Sequence, residues 1–261
     1  MRYELIHDVL AHGTEFNVSS AWTLTDCVAS ADQVVAVDGR QVGDRMIFSG
    51  SAPTLEQEVS VVGTIADLNV ELGVWAKVLP SVASAGGFLT IFDPSTAQVS
   101  SVALTLVESL TLQRLQHVFS DNLTDTSFFV QIGGPTAASG DSFDLARAHC
   151  AVGSGNLTIL PEPNFQRRDT KLQDEHRGRT GKRFVYKWGE YYLTRFGVKF
   201  VNSMDTSIIN SWWSSNTKLL WIVGTGAQVE SVQLLGDDLP LGEYAVPALD
   251  QYEGTIELGT Y

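Results

Sequence analysis

Five histidines (His7, His12, His117, His149, His176), two cysteines (Cys27, Cys150) and thirty Asp/Glu are the residues of this chain with chemistry to offer. Their spacing denies them most of it. No histidine pair stands in an HExxH or similar ligand pattern, and no GxSxG, phosphate-binding loop or dinucleotide fingerprint occurs. His149 and Cys150 are adjacent, but neighbours on a strand point to opposite faces, so they form no dyad. Glycosidic hydrolysis needs two carboxylates across a cleft, and nothing marks such a pair. Two cysteines are no disulfide framework; they read as buried thiols, with a single Cys27–Cys150 bridge as the alternative. Asp141 and Asp144 could lend oxygens to calcium, yet calcium takes six to eight, so solvated loop carboxylates are the simpler reading. The expectation is a chain with no catalytic residues, no cofactor and no metal.

Charge is the stronger signal. Residues 166–199 hold ten Lys/Arg against four Asp/Glu, within a chain whose net charge is −13. The basic residues are Arg167, Arg168, Lys171, Arg177, Arg179, Lys182 and Arg183, interleaved with Tyr186, Trp188, Tyr191 and Tyr192. Such a segment has three readings: phosphates and stacked bases, an acidic neighbour, or solvent alone. Overall acidity argues against nucleic acid. Residues 229–261 supply an acidic face, with Glu230, Asp237, Asp238, Glu243, Asp250, Glu253 and Glu257 and no Lys or Arg. A contact between the two regions in successive copies is heterologous and can close a ring. The basic residues, with Trp188, Trp212 and Trp213, are therefore the expected interface.

These residues need elements to hold them. At 261 residues the chain suits one large or two ordinary domains. From 18 to 152 short apolar runs alternate with polar residues (QVVAVDG, EVSVVGTI, NVELGVWAKVL, GFLTIFD, SFFVQIGG) and are broken by Gly, Asp, Ser and Pro. That spacing predicts a β-sandwich of jelly-roll type after an N-terminal arm at 1–17. Residues 153–165, with Pro161 and Pro163, read as a linker, and 166–182 as a polar loop ordered by a partner. The C-terminal part, 166–261, predicts a small β-rich domain. It has a hairpin turning at Trp188-Gly189 and an amphipathic helix over about 203–216. Met204, Ile208, Ile209, Trp212 and Trp213 share one face of that helix, and Ser203 is the expected N-cap. No run of eighteen apolar residues occurs, so no spanning helix is expected.

Two resemblances add to this reading. Trp22, the Trp-bearing strand GVWAKVL (73–79) and the closing SFDLARAHC (142–150) are similar in layout to carbohydrate-binding jelly-roll modules. In such modules sugars stack on exposed rings of a sheet. The rings available here are Trp75, Phe88, Phe92, Phe119, Phe128 and Phe129; Trp75, Phe92 and Phe128 are the carbohydrate-binding candidates. The competing reading puts these rings in the sandwich core. Residues 180–222 resemble segments of structural proteins of tailed bacteriophages, on Gly181, Tyr186, Trp188, Gly189, Val201, Asn210, Trp212 and Trp213. That implies a virion component of tail, tail tip or baseplate, meeting copies of itself and other virion proteins. With the sandwich's carbohydrate-binding look, host-surface or other glycans are further expected partners; no catalytic motif and no spanning run occur, so neither an enzyme nor a membrane partner is expected. A stand-alone carbohydrate-binding protein is the alternative, and a glycan-active enzyme a third reading.

Overall fold

The computed structural model describes residues 3–11, 13–35, 41–50, 52–78, 87–96, 98–104, 107–133, 142–159, 166–177, 183–224, 226, 228–236, 240–246 and 251–260. Side chains at 41–42, 78, 98, 107–108, 166–177, 183–192, 200, 228 and 242–246 lie outside that description. Along the chain run β1 (Tyr3–Ile6), β2 (Thr23–Thr25), β3 (Cys27–Val35), β4 (Gln41–Phe48), β5 (Thr54–Ser60) and β6 (Asn69–Val78). Next come β7 (Phe88–Asp93), β8 (Gln98–Ala103), β9 (Val107–Val118), β10 (Ser127–Gly133), β11 (Ser142–Val152) and β12 (Asn156–Ile159). Then follow β13 (Gln166–Arg177), β14 (Arg183–Asn202), α1 (Ser203–Ser214), β15 (Lys218–Val223), β16 (Gln228–Leu234), β17 (Leu241–Val246) and β18 (Gln251–Thr260). The chain is mainly β, as its alternation requires.

Two compact units result. One comprises residues 6–156 and 222–229; the other comprises 1–5, 157–221 and 230–261. The first is a sandwich of two five-stranded sheets, ordered β2-β5-β10-β7-β8 and β3-β4-β11-β6-β9. Its core follows from the pleat, since alternate residues of a strand share a face. Leu55 and Val59, Leu89 and Ile91, and Phe128, Val130 and Ile132 come from one sheet. Met46 and Phe48, Val70, Leu72, Val74 and Ala76, and Phe143, Leu145 and Cys150 come from the other. Each fully buried Phe or Leu contributes about 1.5–3 kcal/mol relative to exposure. Buried polar groups are tied down locally. Gln57 Nε2 donates to the carbonyls of Ala11 and Ala21 at 2.9 and 3.0 Å. Asp44 Oδ2 accepts from the backbone N–H of Phe16 and Asn17 at 2.8 and 3.1 Å. Ala11, Phe16, Asn17 and Ala21 are held in place by these bonds. Cys27 and Cys150 are both buried and unbridged.

The second unit is an eight-stranded sheet ordered β12-β1-β15-β16-β18-β14-β13, with β17 paired to β18. Several expectations are corrected here. Residues 3–6, within the expected N-terminal arm, form a strand of this sheet, and the expected linker at 153–165 contains strand β12. The presumed loop at 166–182 is largely strand, with Gln166–Arg177 paired antiparallel to Arg183–Arg195. Trp188-Gly189 is no turn. The register steps from Leu172 opposite Gly189 to Gln173 opposite Lys187, leaving Trp188 as the extra residue of a bulge. A Trp-Gly pair between β-rich runs is written alike for a turn and for a bulge. The helix is capped by Asn202, not Ser203: Asn202 Oδ1 accepts from the Asp205 N–H at 2.8 Å, and Nδ2 donates to Asp205 Oδ2 at 2.9 Å. Trp212 is buried, and Trp213 Nε1 donates to the Gly236 carbonyl at 3.1 Å.

Gly73 sets one close approach in the sandwich. A Cβ there would meet His149 Cε1 at 2.1 Å, and His149 is fully buried. Gly73→Ala is therefore expected to destabilise the chain by about 1–3 kcal/mol through overpacking. A urea-unfolding midpoint equal to that of the parent chain would show that the His149 ring can yield.

Candidate functional site

The two sheets present very different outer faces. On the β6 sheet the outward residues Glu71, Gly73 and Trp75 are buried. Glu71 collects three donors from two strands, β9 and β12. Arg114 Nη1 lies 2.9 Å and Asn156 Nδ2 3.1 Å from Oε1, while Gln116 Nε2 lies 2.8 Å from Oε2. His149 Nε2 stands 3.5 Å from Oε1, an ion-pair distance, and neither ring nitrogen makes a hydrogen bond. Trp75 packs on His149 with ring centres 5.5 Å apart, and its indole N–H donates to the Gly226 carbonyl at 2.9 Å. Burial opposes ionisation of Glu71. The His149 ring, the Arg114 guanidinium and the Gln116 amide overcome that cost and hold its pKa down at about 2. This face is filled by the chain itself.

The outer face of the β10 sheet is different. Because Phe128, Val130 and Ile132 face the core, Phe129, Gln131 and Gly133 must face out. Pairing aligns them in rows. Phe129 stands between Glu58 and Phe92, Gln131 between Glu56 and Thr90, and Gly133 between Thr54 and Phe88. Beyond β7 the rows continue to Val99, Ser101 and Ala103. Phe92 and Phe129 stack, with ring centres 5.4 Å apart and planes 21° from parallel. Gly133 leaves room for Phe88: a Cβ there would meet that ring's Cζ at 2.1 Å. Polar groups between the rings are pre-oriented. Gln131 Nε2 donates to Glu56 Oε2 at 3.2 Å, Ser127 Oγ to Glu58 Oε1 at 2.6 Å, and Thr90 Oγ1 to Ser101 Oγ at 3.1 Å. All three rings are half-buried, Glu58 and Ser101 are exposed, and Val99 is 57% exposed. An edge-supported aromatic surface flanked by carboxylate, amide and hydroxyl groups can stack on apolar C–H faces and hydrogen-bond hydroxyls.

Of the expected sugar-binding rings, Phe92 lies on this open face. Trp75 and Phe128 do not qualify, since both are fully buried and offer no ring face to a ligand. Their types were informative but their strand faces were not. Glu56, Glu58, Thr90, Ser101 and Gln131 were missed; the alternation in TLEQEVS and SFFVQIG is the signal that places them. Asp144 is engaged by Arg45, at 2.8 and 3.3 Å, and Asp141 lies outside the described residues. Among the described residues no three His, Cys, Asp or Glu side chains gather as a metal site. Of the expected interface, Arg167, Arg168, Lys171 and Arg177 fall on β13, and Arg183 and Trp188 on β14. Their side chains, and Arg179 and Lys182 altogether, lie outside the described residues. In the second unit a cleft of about 150 Å³ opens beside Val198, Asn202 and Ile209, where Asn202 and Asp205 are engaged with each other. No helix among the described residues is long and apolar enough to cross a membrane.

No family model and no curated protein matches the sequence. Carbohydrate-binding modules and a phage tailspike domain are among its structural neighbours. The enzymatically active domain of tailspike protein 4 of bacteriophage CBA120 aligns at 13% identity with a TM-score of 0.44; it covers 56% of this chain, which in turn spans 21% of that chain. A family 16 carbohydrate-binding module aligns at 16% identity and a TM-score of 0.40, over 55% of this chain and 99% of its own. A carbohydrate-binding module of Cellvibrio mixtus lichenase 5A, solved with cellotriose, aligns at 10% identity and a TM-score of 0.35, over 56% and 95%.

The Glu71 cluster has a pH signature. Its folded pKa of about 2 lies below the ordinary 4.5, so its stabilisation is complete above about 4.5 and is lost as pH falls towards about 2. Glu71→Gln is expected to flatten that part of the stability–pH curve. At neutral pH it should cost about 2 kcal/mol, less than a fully buried pair because Arg114 keeps some solvent access. Chemical denaturation from pH 2 to 7 measures both, and parallel curves for the two proteins would contradict the assignment.

Proposed function

We propose that the sandwich binds glycans on the outer face of the β10 sheet, and that the chain does so as a structural component of a phage tail. The observation that carries the first half is the stacked Phe92–Phe129 pair, half-exposed on an open sheet beside Phe88 and a row of hydrogen-bonding side chains. Rings in a core need no such polar company, and a solvated sheet face needs no such rings. Phe88 and Phe92 lie four residues apart on β7, ~13 Å along the strand, so the two platforms suit a short oligosaccharide rather than one sugar ring. Glu56 and Glu58 stand two residues apart on one face, ~7 Å along β5, where they can accept hydrogen bonds from sugar hydroxyls.

The test is affinity measured against a panel of soluble polysaccharides. Phe92→Ala and Phe129→Ala are each expected to weaken binding about tenfold, and Gly133→Ala to weaken it by displacing the Phe88 ring. Val62→Ala, at an exposed position elsewhere, should change nothing. Wild-type affinity in the Phe92→Ala/Phe129→Ala double variant would overturn the site.

Assembly into a particle is supported by a separate feature. The basic residues Arg167, Arg168, Lys171 and Arg177 lie along β13, a terminal strand of the eight-stranded sheet, in a chain that is otherwise strongly acidic. A basic sheet end attracts an acidic neighbour and repels its own kind, which favours head-to-tail order. Light scattering at micromolar protein is expected to show salt-sensitive oligomers that vanish when Arg167, Arg168 and Lys171 are changed to Glu. Oligomers unaffected by that reversal would remove the basic strand from the interface.

A further inference from the structure

The glycan face carries charge of one sign. Of the side chains that its five strands turn outward, Glu56 and Glu58 are the charged ones among the described residues; Lys and Arg are absent. The six Lys/Arg of residues 1–165 lie off these strands, at Arg2, Arg40, Arg45, Lys77, Arg114 and Arg147. The two carboxylates also sit where a ligand would lie. Glu58 is the cross-strand partner of Phe129, and Glu56 pairs with Gln131 between the two aromatic platforms. Each accepts one hydrogen bond, Glu58 Oε1 from Ser127 Oγ and Glu56 Oε2 from Gln131 Nε2, which fixes its direction.

A glycan stacked on Phe92 and Phe129 therefore has its substituents beside Glu58, and the rings between the platforms lie beside Glu56. Uronates, sialic acids and sulfated sugars would bring like charge onto oriented carboxylates, and among the described residues these strands turn no Lys or Arg outward to offset it. A free amino group brings the opposite charge and three N–H donors. Resting on the glycan-binding reading above, we infer that the face selects oligosaccharides bearing protonated amino groups and rejects anionic glycans. The aromatic pair supplies contact with the sugar ring, and the Glu row chooses among sugars by charge.

Calorimetric titration of the full chain at mildly acidic pH with three hexamers tests this: cellohexaose (neutral), glucosamine hexamer (cationic) and a galacturonate hexamer (anionic). The glucosamine hexamer is expected to bind at least roughly fivefold more tightly than cellohexaose, the scale of one or two exposed ion pairs. The galacturonate hexamer should show no measurable binding. Raising salt to about 0.5 M, where screening acts within a few ångströms, should close the gap, as should the E56Q/E58Q variant with an unchanged melting temperature. Equal affinity for the neutral and cationic hexamers, or tight binding of the anionic one, would overturn the charge selection while leaving glycan binding in place. Failure of all three hexamers to bind would remove the glycan-binding reading itself.

Discussion

The two-residue pleat of β10 is the constraint on which the rest of the sandwich depends. Three apolar side chains, Phe128, Val130 and Ile132, are completely buried between the sheets. Once they face in, Phe129, Gln131 and Gly133 have no other side to occupy. The neighbouring strands obey the same rule, with Leu89 and Ile91 inward on β7 and Leu55 and Val59 inward on β5. A slip of one residue on β10 would trade that buried trio for a phenylalanine, an amide and a glycine. Packing of the core thus fixes the register, and register fixes which rings and carboxylates stand together outside. The open face is not built separately from the fold; it is the other side of the core.

The opposite sheet shows what happens when an outer face is covered. Glu71, Trp75 and His149 are as buried as the core, and a buried carboxylate is costly unless compensated. Arg114, Gln116 and Asn156 provide that compensation at hydrogen-bond distance, and the indole of Trp75 finds the Gly226 carbonyl. Such a cluster tolerates few arrangements, so it orients β6, β9 and β11 relative to one another. It also explains why the richest set of titratable groups in the described sandwich makes no accessible site. Its oxygens are committed to protein donors.

Much of the fold was legible in the sequence and rather less of the site. Period-two patterning announced the strands of 18–152, and the last strand's alternation was recovered with Ile256 and Leu258 buried. The β13–β14 pairing is not legible, because polar composition reads as loop while cross-strand partners, not side-chain polarity, decide strand formation. For the site, residue type pointed to aromatics but could not say which side of the sandwich each faced. Trp75 and Phe92 lie on strands of similar appearance, yet one face is closed by the chain and the other is open. The Trp75 indole N–H meets the carbonyl of Gly226, which belongs to the same unit although it lies far along the chain. No local pattern encodes it. Once the inward set is known, however, Glu56, Glu58, Thr90 and Gln131 follow from counting by two.

On the proposed reading a glycan sits on the outer face of β5, β10, β7 and β8. Backbone amide chemical shifts of the full chain, followed by NMR during titration with glucosamine hexamer and with cellohexaose, would locate the bound sugar. Perturbations are expected to concentrate at Glu56, Glu58, Phe88, Thr90, Phe92, Ser101, Phe129 and Gln131, with the buried strand β6 left still. Perturbations confined to other strands, or none with either hexamer at saturating concentration, would contradict that reading.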